Sequence, residues 1–318
     1  MDVRQLQILR ELGELGSVKA VADELMVTPS AVSQQLALLA RSAGVPLTRK
    51  EGRTLVLTDA GRVLAEAGGA VVRAMADARA AIGAYHEDPA GTVSVSAFHS
   101  AAQALFGRLA ARLAQEEVAG AHDAGPAPRV PRLRLADEDV PQHGFPALTG
   151  RYDIVLAHRM AHSEGWPADR LEVVPLVREP FDVALPASHP LAAQGALAPQ
   201  DVAGERWVSS RAGYSPADVL AAIGAVASLA PEVAHRVNDY STVAAIVAGG
   251  GVLGLLPRYT AAIGLPAGVV LRPLSGIATH RSIDLLVRPE NARRRSVRMV
   301  AEALRALVGE LVAEAEGR

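Results

Sequence analysis

The chain has 318 residues, which at roughly 100–200 residues per domain predicts two or three domains. Half of the residues are hydrophobic and the net charge is −2, so globular cores are expected. The absence of cysteine excludes disulfides, thiolate metal sites and cysteine nucleophiles. The chain starts without an apolar signal segment, and its apolar runs are too short to span a bilayer. We therefore expect a cytoplasmic protein with no membrane partner.

Three short helices are predicted in the first 45 residues. Apolar residues recur at helical spacing twice, at Val3, Leu6, Leu9 and Leu12 and again at Val18, Val21, Ala22 and Leu25. Thr28 can cap a third helix, and Pro29 suits its first position, where a missing N–H costs nothing. Only two residues separate the second helix from this cap. The two helices must therefore cross at a large angle, as in a helix-turn-helix.

The outer face of the third helix begins with small polar residues, Ser30, Ser33 and Gln34. Short side chains allow close approach to a major groove, and Gln can pair with adenine. The solvated face of an ordinary helix is an equally good interpretation of this face alone. The next segment, 47–57, reads as strand, basic turn and strand. This hairpin would place Arg49, Lys50 and Arg53 against a DNA backbone or minor groove.

This N-terminal segment resembles the LysR-type transcriptional regulators. The resemblance is carried by Gly16-Ser17, Ala20-Val21-Ala22, Val27 through Leu36, Gly44-Val45-Pro46-Leu47 and Leu57-Thr58-Asp59-Ala60-Gly61. It implies that the recognition helix is lined by Thr28, Pro29, Ser30, Ser33 and Gln34, and that Arg49 and Arg53 belong to the wing. The chain departs from the family pattern at Gln34, where Arg is usual, and at Ala40 and Thr48, where Glu and Phe are common.

A long helix is predicted after Thr58, with a heptad seam at Leu64, Gly68, Val71, Met75, Ala78, Ile82 and Tyr85. Such a helix is not stable alone in water, so its seam needs a partner. Packing on the chain's own body is one alternative. The family resemblance implies instead a second copy of the chain, giving a homodimer that assembles further into a tetramer. The predicted dimerisation residues are Leu64, Val71, Met75 and Ile82.

Strands and helices alternate from Thr92 onward, which predicts an α/β fold with largely parallel sheets. Nine strands are expected, at 92–97, 133–136, 154–157, 173–177, 182–185, 207–209, 252–256, 269–271 and 283–287. The segment 116–132, rich in Gly, Ala and Pro, is expected to be a surface loop.

The resemblance continues at 150–156, 189–192 and 247–257 and implies two lobes like those of periplasmic binding proteins. The predicted fold is thus multidomain: an N-terminal all-α winged helix-turn-helix with a long linker helix, then a two-lobed α/β effector domain. The predicted boundaries are 1–58 for the winged helix-turn-helix, 59–87 for the linker and 92–318 for the effector domain. Lobe I would comprise 92–162 and 268–318, and lobe II 163–267.

Ligands of α/β sheets bind beyond the carboxyl ends of strands, and polar residues follow several predicted strands here. Ser100 opens a helix after the first strand, where its hydroxyl and the helix N–H groups could hold an anion. The other candidates for effector binding are His158, Ser209, Ser210, Asp239 and Ser241. Each of them could equally be an ordinary helix cap or turn residue.

These patterns predict a DNA-binding transcriptional regulator whose partners are double-stranded operator DNA and a small-molecule effector. No P-loop, HExxH or GxSxG motif is present, so we expect no enzyme activity, no cofactor and no metal site. The alternative is a cytosolic small-molecule binding protein or enzyme whose N-terminal helices serve only for assembly. The segment Thr28–Gly61 distinguishes the two, because an assembly module needs neither a polar outer face nor a basic hairpin.

Overall fold

The computed structural model describes residues 1–52, 54–85, 91–122, 130–261 and 265–317. The N-terminal elements are α1 (Val3–Leu15), α2 (Val18–Glu24), α3 (Pro29–Ala43), β1 (Thr48–Glu51), β2 (Thr54–Leu57) and α4 (Asp59–Tyr85). Side chains cap the first three helices: those of Asp2, Ser17 and Thr28 each accept a hydrogen bond from the backbone N–H three residues later. The three predicted helices and the hairpin are confirmed.

The head, which we define as residues 3–57, folds around one apolar core. The buried residues of that core are Leu6, Ile8, Leu9, Leu12, Val21, Ala22, Val32, Leu36, Leu39, Leu47, Leu57 and Ala65. The start of α4 packs against this core and completes it. A Cβ at Gly61 would overlap the carbonyl oxygen of Leu47, so only glycine allows α4 to pass this close to the hairpin.

Helix α4 packs first against the head of its own chain. At Gly68, a Cβ would lie only 3.1 Å from the Cβ of Leu6 on α1, and Leu64 is half-buried against the head core. The close approach at Gly68 is therefore made with α1 of the same chain. Farther along, Val71 and Met75 are about 40% exposed, at 42% and 40%.

The remainder of the chain alternates strands and helices. Its elements are β3 (Thr92–Ala97), α5 (His99–His122), β4 (Arg132–Asp137), α6 (Phe145–Leu148), β5 (Ile154–Met160), β6 (Glu172–Pro186), α7 (Pro199–Val202), β7 (Arg206–Ser209), α8 (Ser215–Ala227), β8 (Glu232–Arg236), α9 (Tyr240–Ala248), β9 (Leu253–Pro257), β10 (Val269–Pro273), β11 (His280–Val287), α10 (Pro289–Ala292) and α11 (Arg295–Glu316). The expectation of a loop over 116–132 is wrong in its first part, because α5 continues to His122. Residues 123–129 lie outside the described part.

The sheet is mixed, which corrects the expectation of largely parallel sheets. Its strand order is β4-β3-β5-β11-β6-β9-β7-β8, and β10 also pairs with β6. Strand β3 is parallel to β4 and β5, and β7 is parallel to β8 and β9. In contrast, β11 runs antiparallel to β5 and β6, and β6 runs antiparallel to β9 and β10. The antiparallel strands are those by which the chain passes between two lobes.

The two expected lobes are present, and β6 belongs to both. Its first part, through Pro180, pairs with β11, and its second part, from Phe181, pairs with β9. The first lobe has one apolar core against α5 and α11, which includes Val95, Leu105 and Leu304. The second lobe has an apolar cluster on each face of its sheet. The chain returns from β10 to β11, so two connections join the lobes.

Candidate functional site

The start of α3 is fixed by local contacts. Thr28 has an extended backbone (φ −85°, ψ 149°), and its Oγ1 accepts a hydrogen bond from the N–H of Ala31 at 3.2 Å. Met26, in the turn before it, has a positive φ of 54°, and Val27 donates its N–H to the carbonyl of Ala22 at 2.9 Å. These contacts fix the short turn between α2 and α3, and the first turn of α3 lies at the surface.

The polar face of α3 points away from the core. Thr28, Pro29, Ser30, Ser33 and Gln34 are all exposed. The opposite stripe, Val32, Leu36 and Leu39, is buried in the head. The predicted orientation of the helix is thus observed, and a row of short polar side chains is free to approach a groove.

The basic hairpin follows α3 in the chain and packs against α1 and α4 through β2. Arg49 pairs with Val56 and Lys50 with Leu55 in the antiparallel register of β1 and β2. Both basic side chains are exposed, and the Nη1 of Arg49 lies 2.5 Å from the Oε1 of Glu51. Arg53, the third predicted wing residue, lies outside the described residues.

A small cavity lies between the two lobes, where the N-terminal ends of α5, α8 and α9 converge. Its volume is about 20 Å³, room for one water molecule. It is lined by Phe98, His99, Ser100, Asp139, His158, Ser210, Tyr214, Ser215, Pro216, Asn238, Tyr240 and Arg281. The structure therefore brings three of the predicted effector residues together, namely Ser100, His158 and Ser210. Ser209, Asp239 and Ser241 do not line this cavity.

Arg281 is the cation at the floor of the cavity, and its side chain is only 1% exposed. Its Nε and Nη2 donate to the Oε2 of Glu179 at 2.9 and 2.7 Å. Nη2 also donates to Ser100 Oγ at 3.1 Å and to Thr260 Oγ1 at 2.9 Å. The guanidinium carbon lies 4.7 Å from the ring centre of Phe98, within cation–π range. Arg281 is thus held on every side, and it fixes the hydroxyl of Ser100.

His158 is neutral in this environment. It is buried between the rings of Phe98 and Phe145, with ring centres 4.7 and 5.1 Å away. Burial and then the positive charge of Arg281 hold the pKa of His158 well below its ordinary value. Its Nδ1 lies 3.3 Å from the Oγ of Ser215 on the other lobe. This imidazole can therefore hydrogen-bond a polar ligand without bringing a charge.

Further contacts close the cleft across its rim. The Nε2 of His99 lies 2.9 Å from Asp239 Oδ2, and the hydroxyl of Tyr214 donates to the carbonyl of Asp139 at 3.2 Å. Asp239 also caps α9, and it accepts a hydrogen bond from the hydroxyl of Ser241 at 2.5 Å. Asp239 and Ser241 thus belong to the rim and a helix cap. Any ligand larger than water requires these contacts to part.

Two family models match the chain. The first, "Bacterial regulatory helix-turn-helix protein, lysR family", matches residues 3–62, and the second, "LysR substrate binding domain", matches residues 131–309. Together they include α3, the hairpin and most of the residues around the cavity. The chain belongs to the LysR family. It is therefore a DNA-binding transcriptional regulator with an effector-binding domain.

Relatives and solved structures of LysR regulators align along nearly the whole chain. The Escherichia coli K12 "DNA-binding transcriptional dual regulator OxyR" is 25% identical over 96% of this chain and 95% of its own. A full-length OxyR variant from Pseudomonas aeruginosa has a TM-score of 0.63 at 18% identity, covering 96% of this chain and 95% of its own. Full-length CbnR in complex with its target DNA has a TM-score of 0.50 at 20% identity, covering 97% and 100%. These structures share the fold of this LysR-family chain.

Sequence reasoning missed the groups that hold the LysR effector cleft together. Arg281 and Glu179 are 102 residues apart, and Thr260 and Tyr214 come from two further segments of the chain. One signal was available: Glu179 and Arg281 are charged residues next to predicted strands, and such charges are rarely buried unless they are paired. The sequence does not say which charge pairs with which.

In the described ranges of this regulator, no helix is long and apolar enough to cross a bilayer. The same part of the chain holds no group of three or more His, Cys, Asp or Glu side chains placed to bind a metal ion.

We predict that Arg281→Met lowers the free energy of unfolding by about 3 kcal/mol or more, because it leaves Glu179 charged and buried without its partner. Denaturant unfolding followed by the fluorescence of Trp166 and Trp207 measures this change. The matched control is Arg206→Met, which breaks an exposed pair with Glu232 and should leave the midpoint nearly unchanged. Equal free energies of unfolding for the two variants would show that the ion pair of Arg281 and Glu179 does not stabilise the fold.

Proposed function

We propose that this LysR regulator recognises a partly palindromic operator through the outer face of α3 and the basic hairpin. The observation that carries the proposal is the outward direction of Ser30, Ser33 and Gln34, together with the exposure of Arg49 and Lys50 on the hairpin that follows in the chain. Gln34 would pair with a base edge in the major groove, and the two basic residues would contact phosphates. Thr28 and Pro29 would pack along the backbone at the helix start, and Arg53 would extend the wing.

We propose that the regulator acts as a homodimer, and further as a tetramer, in the cytoplasm beside its operator. Val71 and Met75 support a pairing through α4, because both remain substantially exposed on that helix. Ile82 would extend the same seam, whereas Leu64 already packs on its own head. The proposed parts are 1–58 for reading DNA, 59–87 for assembly and 92–318 for the effector. No catalytic role is proposed for any residue.

We propose that the effector is a small polar molecule with an anionic group, bound between the lobes. Three helix N-termini and the hydroxyls of Ser100, Ser210 and Ser215 line the cavity, and such groups favour a carboxylate. The lobes must open to admit anything larger than water, so binding and lobe angle are linked. Since the chain has no cysteine, its signal cannot be recorded as thiol oxidation.

The DNA-reading face is tested by the same substitution at two exposed helical positions. Gln34→Glu on α3 replaces an N–H donor by a carboxylate, which repels phosphates and base acceptors. We expect operator affinity to fall about tenfold or more, in line with the loss of one bidentate base contact. Gln200→Glu on α7 adds the same charge and should leave affinity unchanged.

Fluorescence anisotropy with an operator selected from a random DNA library provides the measurement, at two salt concentrations because DNA affinity depends on salt. Circular dichroism shows whether both variants fold. If Gln34→Glu bound as tightly as Gln200→Glu, the α3 face would not be the reading surface.

The anion proposal is tested by thermal shift of the full chain with small carboxylic acids and with the uncharged amides of the same acids. Some acids should raise the melting temperature while their amides do not, since only the carboxylate is favoured by the helix N-termini. Ser210→Ala should reduce that shift by removing a lining hydroxyl. A panel in which amides stabilise as well as their acids do would rule out an anionic effector.

A further inference from the structure

The head rests on lobe I through a cluster of ion pairs centred on Arg288. This residue directly follows β11, and its side chain is 9% exposed. Glu11 on α1 accepts two hydrogen bonds from it, at 2.5 Å from Nη1 and at 2.9 Å from Nη2. Nη2 also donates to Glu14 at 3.2 Å. One guanidinium of the effector domain is thus held by two carboxylates of the DNA-reading head.

A second set of contacts joins the head and the effector domain, here with the arginine on the head and the carboxylate on the effector domain. Arg10 of the head donates to Glu290 of α10 at 2.9 Å, and it also contacts Glu11 at 3.2 Å. Glu24, at the end of α2, lies in a gap that exists because residue 150 is glycine. A Cβ at Gly150 would overlap the Oε1 of Glu24. The contact is therefore specific in charge and in shape on both sides.

The cluster holds more negative than positive charge. Burial raises the pKa of Glu24 to about 7, and the charges of Glu11 and Glu14 add to this effect. Arg288 and Arg151 act in the opposite direction, and the Nη2 of Arg288 lies 3.9 Å from the Oε1 of Glu24. The Glu24 side chain is 4% exposed, and its Oε1 has no hydrogen-bond partner. This carboxylate therefore opposes the docked position whenever it is ionised.

Arg288 is joined to the effector cleft by a single strand. Arg281, at the cavity, stands near the start of β11, and Arg288 comes seven residues later, about 23 Å away at about 3.3 Å per residue. Strand β11 is hydrogen-bonded on both sides, to β5 and to β6. The pairing with β5 is continuous from Arg281 to Leu286, and the pairing with β6 shifts its register between Ile283 and Asp284. The floor of the cavity and the docking contact thus lie at the two ends of one strand.

We propose that Arg288 is a positioning residue that docks the DNA-reading head on lobe I and thereby sets the spacing at which paired heads read DNA. Arg288 acts through Glu11 and need not touch DNA. The proposal rests on DNA reading by α3, as proposed above. An ion-pair contact suits this role, since buried ion pairs add little net stability compared with apolar packing, and the docked and released states can stay close in free energy.

The docked position should depend on pH. Free glutamate has a pKa of 4.5, and docked Glu24 has a pKa of about 7, so docking takes up a proton between these values. Docking is therefore strongest at low pH and weakens as the pH rises to about 7, with no further change from this group above it. Glu24→Gln removes this dependence.

The first test measures the docking itself. Because the chain has no cysteine, Met26→Cys in the head and Glu302→Cys on α11 give two unique sites for spin labels, and both positions are exposed. Labelled chain is mixed with an excess of unlabelled chain, so that the pulsed electron resonance signal reports distances within one molecule. The parent chain should give one narrow distance distribution at pH 6, broader at pH 8. Glu24→Gln should give the narrow distribution at both pH values.

Two variants weaken docking by different routes. Arg288→Gln removes the central charge, and Gly150→Ala displaces Glu24 without changing any charge; both should broaden the distribution. Arg288→Lys should restore part of the docking, because it keeps the charge but loses the two-pronged contact. Arg298→Gln, at an exposed arginine of α11, is the control and should leave the distribution unchanged.

The second test reads the consequence for DNA. Operators are compared whose half-sites are moved apart by one to five base pairs. The parent chain should prefer one spacing over the worst by about tenfold or more, whereas Arg288→Gln and Gly150→Ala should prefer it by less than about threefold. A role in stability alone would lower affinity for every spacing alike.

The outcomes separate the two proposals. An unchanged distance distribution in Arg288→Gln, or an unchanged spacing preference, would overturn the positioning role. Loss of binding in Gln34→Glu is independent of this result, since that residue lies on the outer face of α3. If the parent chain bound no operator at all, the DNA-reading proposal would fail while the distance measurement would still decide whether the head docks.

Discussion

The buried pair of Glu179 and Arg281 is the interaction on which the two-lobed half of the molecule depends. It sits where β6 stops pairing with β11 and begins to pair with β9. Both side chains are almost completely buried, at 0% and 1% exposure. Two buried charges are tolerated only when each satisfies the other, so the pair fixes how the two strands meet. Every other feature of the cleft is arranged around this junction.

The cleft follows from that junction. Arg281 orients Ser100 and Thr260, and Glu179 accepts the N–H groups of Tyr259 and Thr260 at 2.9 and 2.6 Å. The lobes are held shut mainly by polar contacts at the rim, which water or a ligand can replace. A cleft built in this way has a rigid floor and a separable rim. In the proposed response to an effector, opening would change the angle between the lobes while the floor stays intact.

The head could be predicted closely from the sequence because its signals are local. A dozen residues contain all of the signals for α3: the cap at Thr28, the proline that follows it and the buried apolar stripe. The effector half depends on distant pairings, and there prediction was weaker. Strand β6 was expected as two strands because charged residues and Pro180 interrupt it, yet it continues by changing its partner strand. Strand β8 was missed, since its residues are half-buried or exposed and show no alternation.

Functional residues, too, could be predicted where the signal is local and were missed where it depends on distant contacts. The exposed polar residues of α3 could be predicted from the sequence of that helix alone, because its periodicity shows which residues face the core and which face outward. Of the six expected effector residues, three line the cavity, because strand ends predict where a site lies but not which side chains face it. The cation at the cavity floor and the docking residue Arg288 were not predicted. Both act through partners more than one hundred residues away in the chain.

The account depends most on the outer face of α3 entering a DNA groove, and site-directed cleavage tests this directly. Ser33→Cys places one thiol on that face of a chain that otherwise has none, and an iron chelate attached there cuts DNA only near itself. We expect two short cleavage patches in a bound operator, one in each half-site, and none from a chelate at Gln200→Cys. Protected operator DNA without cleavage from position 33 would contradict it.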